Sequence, residues 1–546
     1  MKNLVLGALV VLAISSCERK VSTTSMEVRI DSLFHFWDKP NSPGAAVAVL
    51  QDGKITFSKG YGMANLEYKV PITPQSIFHI ASESKQYTAF CMVLLAKEGK
   101  LSLDDDVRKH LPWVPDFGKT ITIKHLIHHT SGLRDQWQLF AIAGQGLDDV
   151  IRQSEVIKLV ERQKELNFEP GSRHMYCNTG YTLMAEIVKS VTGKTLREYA
   201  DEKIFKPLSM SNTHFHDNNR EIIANRTYSY DSADGKLWNA PLNFATVGAT
   251  SLFTTVEDET KWLNNYATGQ VGGKEAIDQM YEQGILTDGT KLTYAFALGI
   301  DTIRGYRRIG HGGSDAGYRS YAMRIPETGL GVVVFSNFGG FNPRSLATKV
   351  AALYLPDRSV KRQSLKPYKI DSTLYQSYKG LYHTIGENIE ILDSGKLYVK
   401  FDGGMYPLTP ESDTSFTAFD GQVWIAFNRD QNGKTNSFKA RDPNGTRIFE
   451  RYTKPTFSDA DLKSYAGTYV CDELDVTYRI VVKDGSLVMQ HRRYPDGKMK
   501  PVTREHFITG NWWMWNIDFT KDAKGKVTGF AVNSGRILGL KFRKVQ

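Results

Sequence analysis

The stretch Ser82-Glu83-Ser84-Lys85 sets a lysine three residues after a serine, at the head of an almost unbroken apolar run reaching Ala96. On a helix that spacing puts both side chains on one face. A serine hydroxyl is a weak nucleophile until a neighbouring base takes its proton. Lysine can be that base once burial lowers its proton affinity, and the apolar run would supply the burial. If Ser82 opens the helix, the helix N-terminus also favours negative charge developing there. The chemistry open to the pair is acyl transfer. The competing reading is an ordinary surface turn, because serine-x-x-lysine arises by chance in long chains.

Two other clusters could serve the same chemistry. Tyr176-Cys177-Asn178 offers a phenol that relays protons beside a cationic lysine and a carboxamide that hydrogen-bonds a substrate amide. Taken alone it reads equally well as a packed tyrosine and a helix-capping asparagine. His311-Gly312-Gly313 heads a strand, where the glycines let a backbone or a ligand approach closely. Taken alone it is a glycine-rich hairpin. His128, His129 and Asp135 suggest a catalytic triad, but buried or capping histidines are the commoner use, and a structural role is expected.

These residues need elements to position them. "GAAVAVL" and "KITFSKGYG" flank Asp52-Gly53, a strong hairpin turn. Ile123, Leu126 and Ile127 share one side of a short helix. Leu183, Met184, Ile187, Val188 and Val191 follow helical spacing after the Pro170-Gly171 turn. The segment from His311 to Phe338 reads as a strand, a turn at Pro326 to Gly329, and a second, nearly all-apolar strand. Strands at both ends with helices between predict an α/β layered domain ending near residue 355. From about Leu374 short alternating strands separated by glycine turns take over. Tyr378-x-Gly380-x-Tyr382 recurs as Tyr465-x-Gly467-x-Tyr469, and "FNRDQNGKTNSF" is answered by "FTKDAKGKVTGF". Two all-β modules are expected behind a polar linker, "LPDRSVKRQSLKP". Trp512, Trp513 and Trp515 read as core ahead of a carbohydrate- or wall-binding face.

With 69 basic and 59 acidic residues, the charge of +10 is thinly spread and argues against a nucleic-acid partner. Lys2, an eleven-residue apolar core from Leu4 to Ile14, and Ser15-Ser16-Cys17 read as an export signal too short to span a bilayer. Ile14-Ser15-Ser16-Cys17 resembles a bacterial lipoprotein signal, which implies that Cys17 becomes the lipidated first residue. The expectation is an exported protein, lipid-anchored in a bacterial cell envelope. Cys91, Cys177 and Cys471 cannot pair completely, and no histidine, cysteine or carboxylate spacing marks a metal site. No metal or cofactor is expected.

Taken together and in this order, the three clusters resemble the serine β-lactamase and penicillin-binding protein superfamily. The nearest branch holds class C β-lactamases, D-alanyl-D-alanine carboxypeptidases, D-aminopeptidases and related esterases. "HTSGL" at His129, "EPGSRHMYCNTGY" at Glu169 and "KPLSMSNTHF" at Lys206 extend the resemblance across about Pro43 to Asn337. It implies a β-lactamase/transpeptidase-like antiparallel sheet flanked by helices, followed by two barrel-like all-β C-terminal modules. Expected boundaries are 1–16 signal peptide, 17–30 tether, 31–360 catalytic domain, 370–453 and 458–546 β modules.

By the same resemblance, Ser82 is the acylated nucleophile, Lys85 its base and Tyr176 the proton shuttle. Asn178, His311 and Gly313 line the substrate site, and the backbone N–H groups of Ser82 and Ser314 form the oxyanion hole. The implied reaction is cleavage of small peptides or aminoacyl amides and esters, D-aminopeptidase-like, with a carboxylesterase or a weak β-lactamase as the enzymatic alternatives. Non-enzymatic alternatives are a penicillin-binding-type receptor or a wall-tethering protein, which would not need Ser82, Lys85 and Tyr176 together. Three departures stand out. His311 replaces a lysine of the lactamases, as in the D-aminopeptidase and esterase members, and so weakens the anchor for a substrate carboxylate. Thr250-Ser251-Leu252 replaces a double glycine and is expected to reshape the pocket edge. Ser209 replaces a glycine and changes a turn.

Overall fold

The computed structural model describes residues 25–358 and 368–545, apart from 402–403, 420, 422 and 443–444. The signal segment, Cys17 and most of the linker lie outside the described residues. No helix among the described residues is long and apolar enough to cross a membrane.

The catalytic-looking part is built on a six-stranded antiparallel sheet. Its strands are β1 (Ala45–Gln51), β2 (Lys54–Tyr61), β3 (Gly299–Ile303), β4 (Tyr306–Asp315), β5 (Tyr318–Ile325) and β6 (Leu330–Ser336), in the order β3-β4-β5-β6-β1-β2. The two ends of this domain, residues 45–61 and 299–336, therefore meet side by side, with Val47 opposite Val334. Asp52 and Gly53, at φ 50° and 79°, make the β1–β2 turn where the sequence places it. Strands β1 and β6 are apolar at successive positions because helices cover both faces. Val47, Val49, Val332 and Val334 face α1 (Met26–Phe34) and α6 (Pro343–Tyr354). Ala46, Ala48, Leu50, Val333 and Phe335 face the larger helical core, which contains α2 (Ser84–Lys97), α4 (Asn178–Thr192) and α5 (Val256–Thr268). The segment after His311 departs from the sequence reading. It holds three strands, because β4 turns back at Ala316-Gly317 before the turn at Pro326–Gly329. The residues of the first turn, Asp315 and Gly317, follow closely on Gly312-Gly313 and merge with that glycine-rich stretch.

Each C-terminal module is a nine-stranded antiparallel sheet whose first and last strands are consecutive in the chain. Gly404–Pro407 and Thr409–Pro410 end the first sheet, Gly497–Lys498 and Lys500–Pro501 the second, so both are nearly closed barrels. The sequence repeat is a repeat of contacts. Tyr382 Oη donates to the Tyr378 carbonyl (2.7 Å), as Tyr469 Oη does to that of Tyr465 (2.6 Å). Phe438 stacks on Phe449 in one barrel and Phe530 on Phe542 in the other. Trp513 packs against the second barrel's core, whereas Trp512 and Trp515 are half-exposed, so the core reading holds for one tryptophan of the three.

The second barrel is welded to the catalytic domain. Leu139 and Ile142 of α3 (Gln136–Ile142) belong to the barrel's hydrophobic core. Arg134, fully buried, donates to Glu473 across the junction at 2.6 Å.

Candidate active site

Helix α2 is buried on every side from Ser84 to Leu95: Ala89 to Leu95 is wholly apolar, and the polar Ser84, Lys85, Gln86 and Thr88 are buried with it. Ser82 does not open it. It sits in a single 3₁₀ turn, Ala81–Glu83, directly before it, and Ala81 takes a left-handed φ of 50°. This sharp entry lifts the Ser82 hydroxyl into a cleft of about 430 Å³ lined by Trp137, Tyr176, Asn178, His311, Gly313, Ser314, Arg344 and Arg536 among others. Gly313 is forced by the same entry. A Cβ there would lie 2.1 Å from the Ile80 carbonyl oxygen and 2.9 Å from Ala81 Cβ, so only glycine lets β4 run this close to the serine turn.

Lys85 is fully buried, and its Nζ donates to Ser82 Oγ (3.0 Å), Asn178 Oδ1 (2.8 Å) and the Ala249 carbonyl (2.6 Å). Burial lowers its pKa to about 7; Asp315 and Asp135 pull it up and Arg536 pushes it down. Near neutral pH both protonation states are populated. In the neutral form the amine has a lone pair for the Ser82 proton, with two acceptors still holding its own hydrogens.

Asn178, the first residue of α4, is clamped by Asp135, whose Oδ2 accepts both its backbone N–H and its Nδ2, each at 2.7 Å. The other Asp135 oxygen caps α3. Asp135 thus fixes the carboxamide that in turn fixes Lys85. His129 lies 4.1 Å from the Tyr176 ring, centroid to centroid, and holds it from behind.

A directed hydrogen-bond chain crosses the back of the cleft. His129 Nδ1 accepts from the Cys177 N–H (3.0 Å), so its Nε2 carries the proton and donates to Tyr294 Oη (3.1 Å). His311 Nδ1 faces the Gly312 carbonyl (2.7 Å) and must donate, so Tyr294 donates to His311 Nε2 (3.2 Å). These tautomers are assigned from the network. Burial, reinforced by Lys85, depresses His311 to about 3, which keeps the ring neutral. His128 packs edge-on against Phe296 and is pushed to about 4 by burial. No histidine–aspartate triad forms from His128, His129 and Asp135.

The Tyr176 hydroxyl is buried without a well-formed hydrogen bond, which leaves it open to a substrate group. Burial raises its pKa, while a contact with Ser82 and the charge of Arg536 pull it back. Lys85 Nζ and Arg536 Cζ lie 5.0 and 4.7 Å from its ring centroid.

Several participants carried no signal in the sequence. Asp315, the last residue of β4, bonds His79 (2.9 Å) and Thr250. Thr250 and Ser251 are buried, and Thr250 meets the cleft through Asp315, which lines it. Ser251 (φ 72°) and Ser209 (φ 56°) take left-handed conformations that suit glycine. Glu83 is buried beside Glu259, and burial holds both carboxyls well above their usual range, Glu259 at about 8. His214, His216 and Glu221 bring ligand atoms within 4.8 Å of one another, a grouping that spacing did not flag. Arg197 already grips both Glu221 oxygens. Trp137 and Arg536 also went unnoticed, because each enters the cleft from a distant part of the fold.

A family model described as Beta-lactamase matches residues 31–355. A D-aminopeptidase of Gluconobacter oxydans (strain 621H) is 26% identical over 528 residues, covering 92% of this chain and 96% of its own. The octameric penicillin-binding protein homologue from Pyrococcus abyssi superposes with a TM-score of 0.55 at 24% identity, over 86% of this chain and 98% of that one. A D-stereospecific amidohydrolase from Streptomyces sp. matches at a TM-score of 0.51 and 20% identity, over 61% of this chain and all of its own (100%). Fold and relatives together define a serine hydrolase. The chain belongs to the β-lactamase family, the serine β-lactamase and penicillin-binding protein superfamily, with D-aminopeptidases among its relatives.

Proposed function

We propose that this protein is a two-step acyl transferase to water, cleaving amide or ester bonds of small peptides or aminoacyl substrates in the manner of its D-aminopeptidase relatives. Ser82 Oγ attacks the carbonyl carbon while its proton passes to neutral Lys85 Nζ. The oxyanion is held by the backbone N–H groups of Ser82 and Ser314. Tyr176 protonates the departing amine or alcohol, leaving an ester on Ser82. It then takes a proton from the water that hydrolyses that ester, and Lys85 returns its proton to the departing Ser82 Oγ. Asn178 orients the acyl part from its Asp135 clamp.

The observation that carries this reading is the buried Lys85, 3.0 Å from Ser82 Oγ and poised near pH 7. A receptor or tethering role would give no reason to bury a lysine at such cost. Neutral His311 offers no fixed charge beside Ser314 for the carboxylate of a penicillin, which favours amides and esters, a carboxylesterase included, over β-lactams.

The test is covalent labelling. A fluorophosphonate probe should modify Ser82 in the wild type and leave Ser82→Ala unmodified; labelling retained at another serine would end the assignment. Export and a lipid anchor at Cys17 belong to the same proposal. Cys17→Ser should move the protein from the membrane to the soluble fraction, and a mature N-terminus elsewhere would refute the anchor.

A further inference from the structure

The cleft contains a cation that tunes Lys85 and Tyr176 by its charge but takes no proton and touches no reacting atom in the acyl-transfer steps. Arg536 stands at the tip of a hairpin of the second barrel, between strands Val527–Ser534 and Ile537–Lys544. Its backbone is stitched into the catalytic domain by neutral amides. Its N–H donates to Gln138 Oε1 (2.8 Å), its carbonyl accepts from Asn167 Nδ2 (2.9 Å), and Gln138 Nε2 donates to the Ser534 carbonyl (2.6 Å). The latch is therefore complete without the side chain.

The guanidinium reaches into the cleft over Tyr176, and its side chain remains 44% exposed. It makes no hydrogen bond to any described residue. The nearest carboxylate oxygen, Asp135 Oδ2, is 3.6 Å away and already accepts two bonds from Asn178. The neighbouring cations are committed: Lys85 to three acceptors, Arg344 to Asp301 at 2.6 Å. Of the two arginines lining the described cleft, Arg344 is tied by Nη2 to Asp301, whereas Arg536 has all its guanidinium donors without a hydrogen-bond partner among the described residues. Its planar fork matches a carboxylate in two-point contact.

We infer that Arg536 forms a carboxylate subsite for the acyl half of the substrate, so that the enzyme selects acyl groups carrying an anion. The acyl half is assigned because Arg536 lies beside the Asp135–Asn178 clamp. The inference rests on the acyl-transfer reading above and adds the substrate's charge to it. An acyl group with a cationic side chain would meet the guanidinium and be disfavoured.

The experiment compares glutamyl with glutaminyl 4-nitroanilides, each as the D and the L form, which differ only in a carboxylate against a carboxamide. The expected kcat/KM ratio in the wild type favours glutamyl by about ten- to a hundredfold, the range of a charge-assisted pair in a half-open site. The preference should shrink as salt is raised. Arg536→Met, which keeps the stem over Tyr176, should bring the ratio close to one, and Arg536→Glu should reverse it in favour of lysyl anilides. Turnover of both anilides at equal efficiency by the wild type overturns the inference, as does a ratio unchanged in Arg536→Met. If neither anilide is hydrolysed, the same pair is compared as competitors of fluorophosphonate labelling, where equal protection overturns it. Failure of the acyl-transfer reading is distinct, because it shows as labelling that does not depend on Ser82.

Discussion

Replacing Gly313 by alanine tests whether strand β4 must touch the serine turn. The added methyl would sit 2.1 Å from the Ile80 carbonyl oxygen and 2.5 Å from Ser320 Oγ. It is thus about 1.3 Å short of the 3.4 Å at which ordinary contact begins. It would also wedge into the hydrogen bond that Ser320 Oγ donates to that carbonyl, now 2.7 Å. Neither neighbour can yield alone, because Ile80 and Ala81 lead directly into Ser82. Relief must come from separating β4 from the turn by roughly 1 Å, and a displacement of that size costs about 100-fold in a reaction needing aligned groups. The stability cost of such overpacking is smaller, about 1–3 kcal/mol, so the variant should still fold. Gly312→Ala is the matched control, since its methyl would meet the Ser320 carbonyl and Tyr321 at 3.2 Å, which a few tenths of an ångström relieve. The assay is the second-order rate of fluorophosphonate labelling, with denaturant unfolding in parallel. Gly313→Ala should label about 100-fold more slowly and Gly312→Ala within several-fold of the wild type. A Gly313→Ala rate within threefold of the wild type, or equal losses in the two variants, would refute the reasoning.

Two more expectations follow from the buried charges. Lys85 has a folded pKa of about 7, below its ordinary 10.5, so the fold binds fewer protons there; labelling should rise with pH through about 7, and a flat profile between pH 5.5 and 8.5 would remove Lys85 as the base. Removing one partner of the buried Arg134–Glu473 pair, as in Arg134→Met, should cost about 3–5 kcal/mol in unfolding, with much of that regained when Glu473→Leu is added; a neutral single variant would show that the pair does not hold the barrel.

How much was legible follows the range over which each feature is specified. The Ser82–Lys85 pair could be read because three residues and an apolar run define a buried helical turn locally. The Asp52-Gly53 hairpin was legible for the same reason, and so was the doubling of the barrels, since a repeated tyrosine pair enforces a repeated hydrogen bond. The turn at Ala316-Gly317 was not, because Asp315 and Gly317 read equally well as the end of the glycine-rich stretch that Gly312-Gly313 opens.

The sequence by itself determined the chemistry available: a serine, a lysine, a phenol and a carboxamide in segments of known periodicity. Only the tertiary structure decided how that chemistry is tuned. Asp135 clamps Asn178, the Asp315 charge at the end of β4 raises Lys85, Tyr294 joins two neutral histidines, and Arg536 enters from a barrel at the far end of the chain. These partners are separated by tens to hundreds of residues. No local propensity encodes them, because their meeting is set by many weak burial terms that close the sheet and dock the second barrel. The lysine's pKa, the histidine's neutrality and the free guanidinium are properties of that closure.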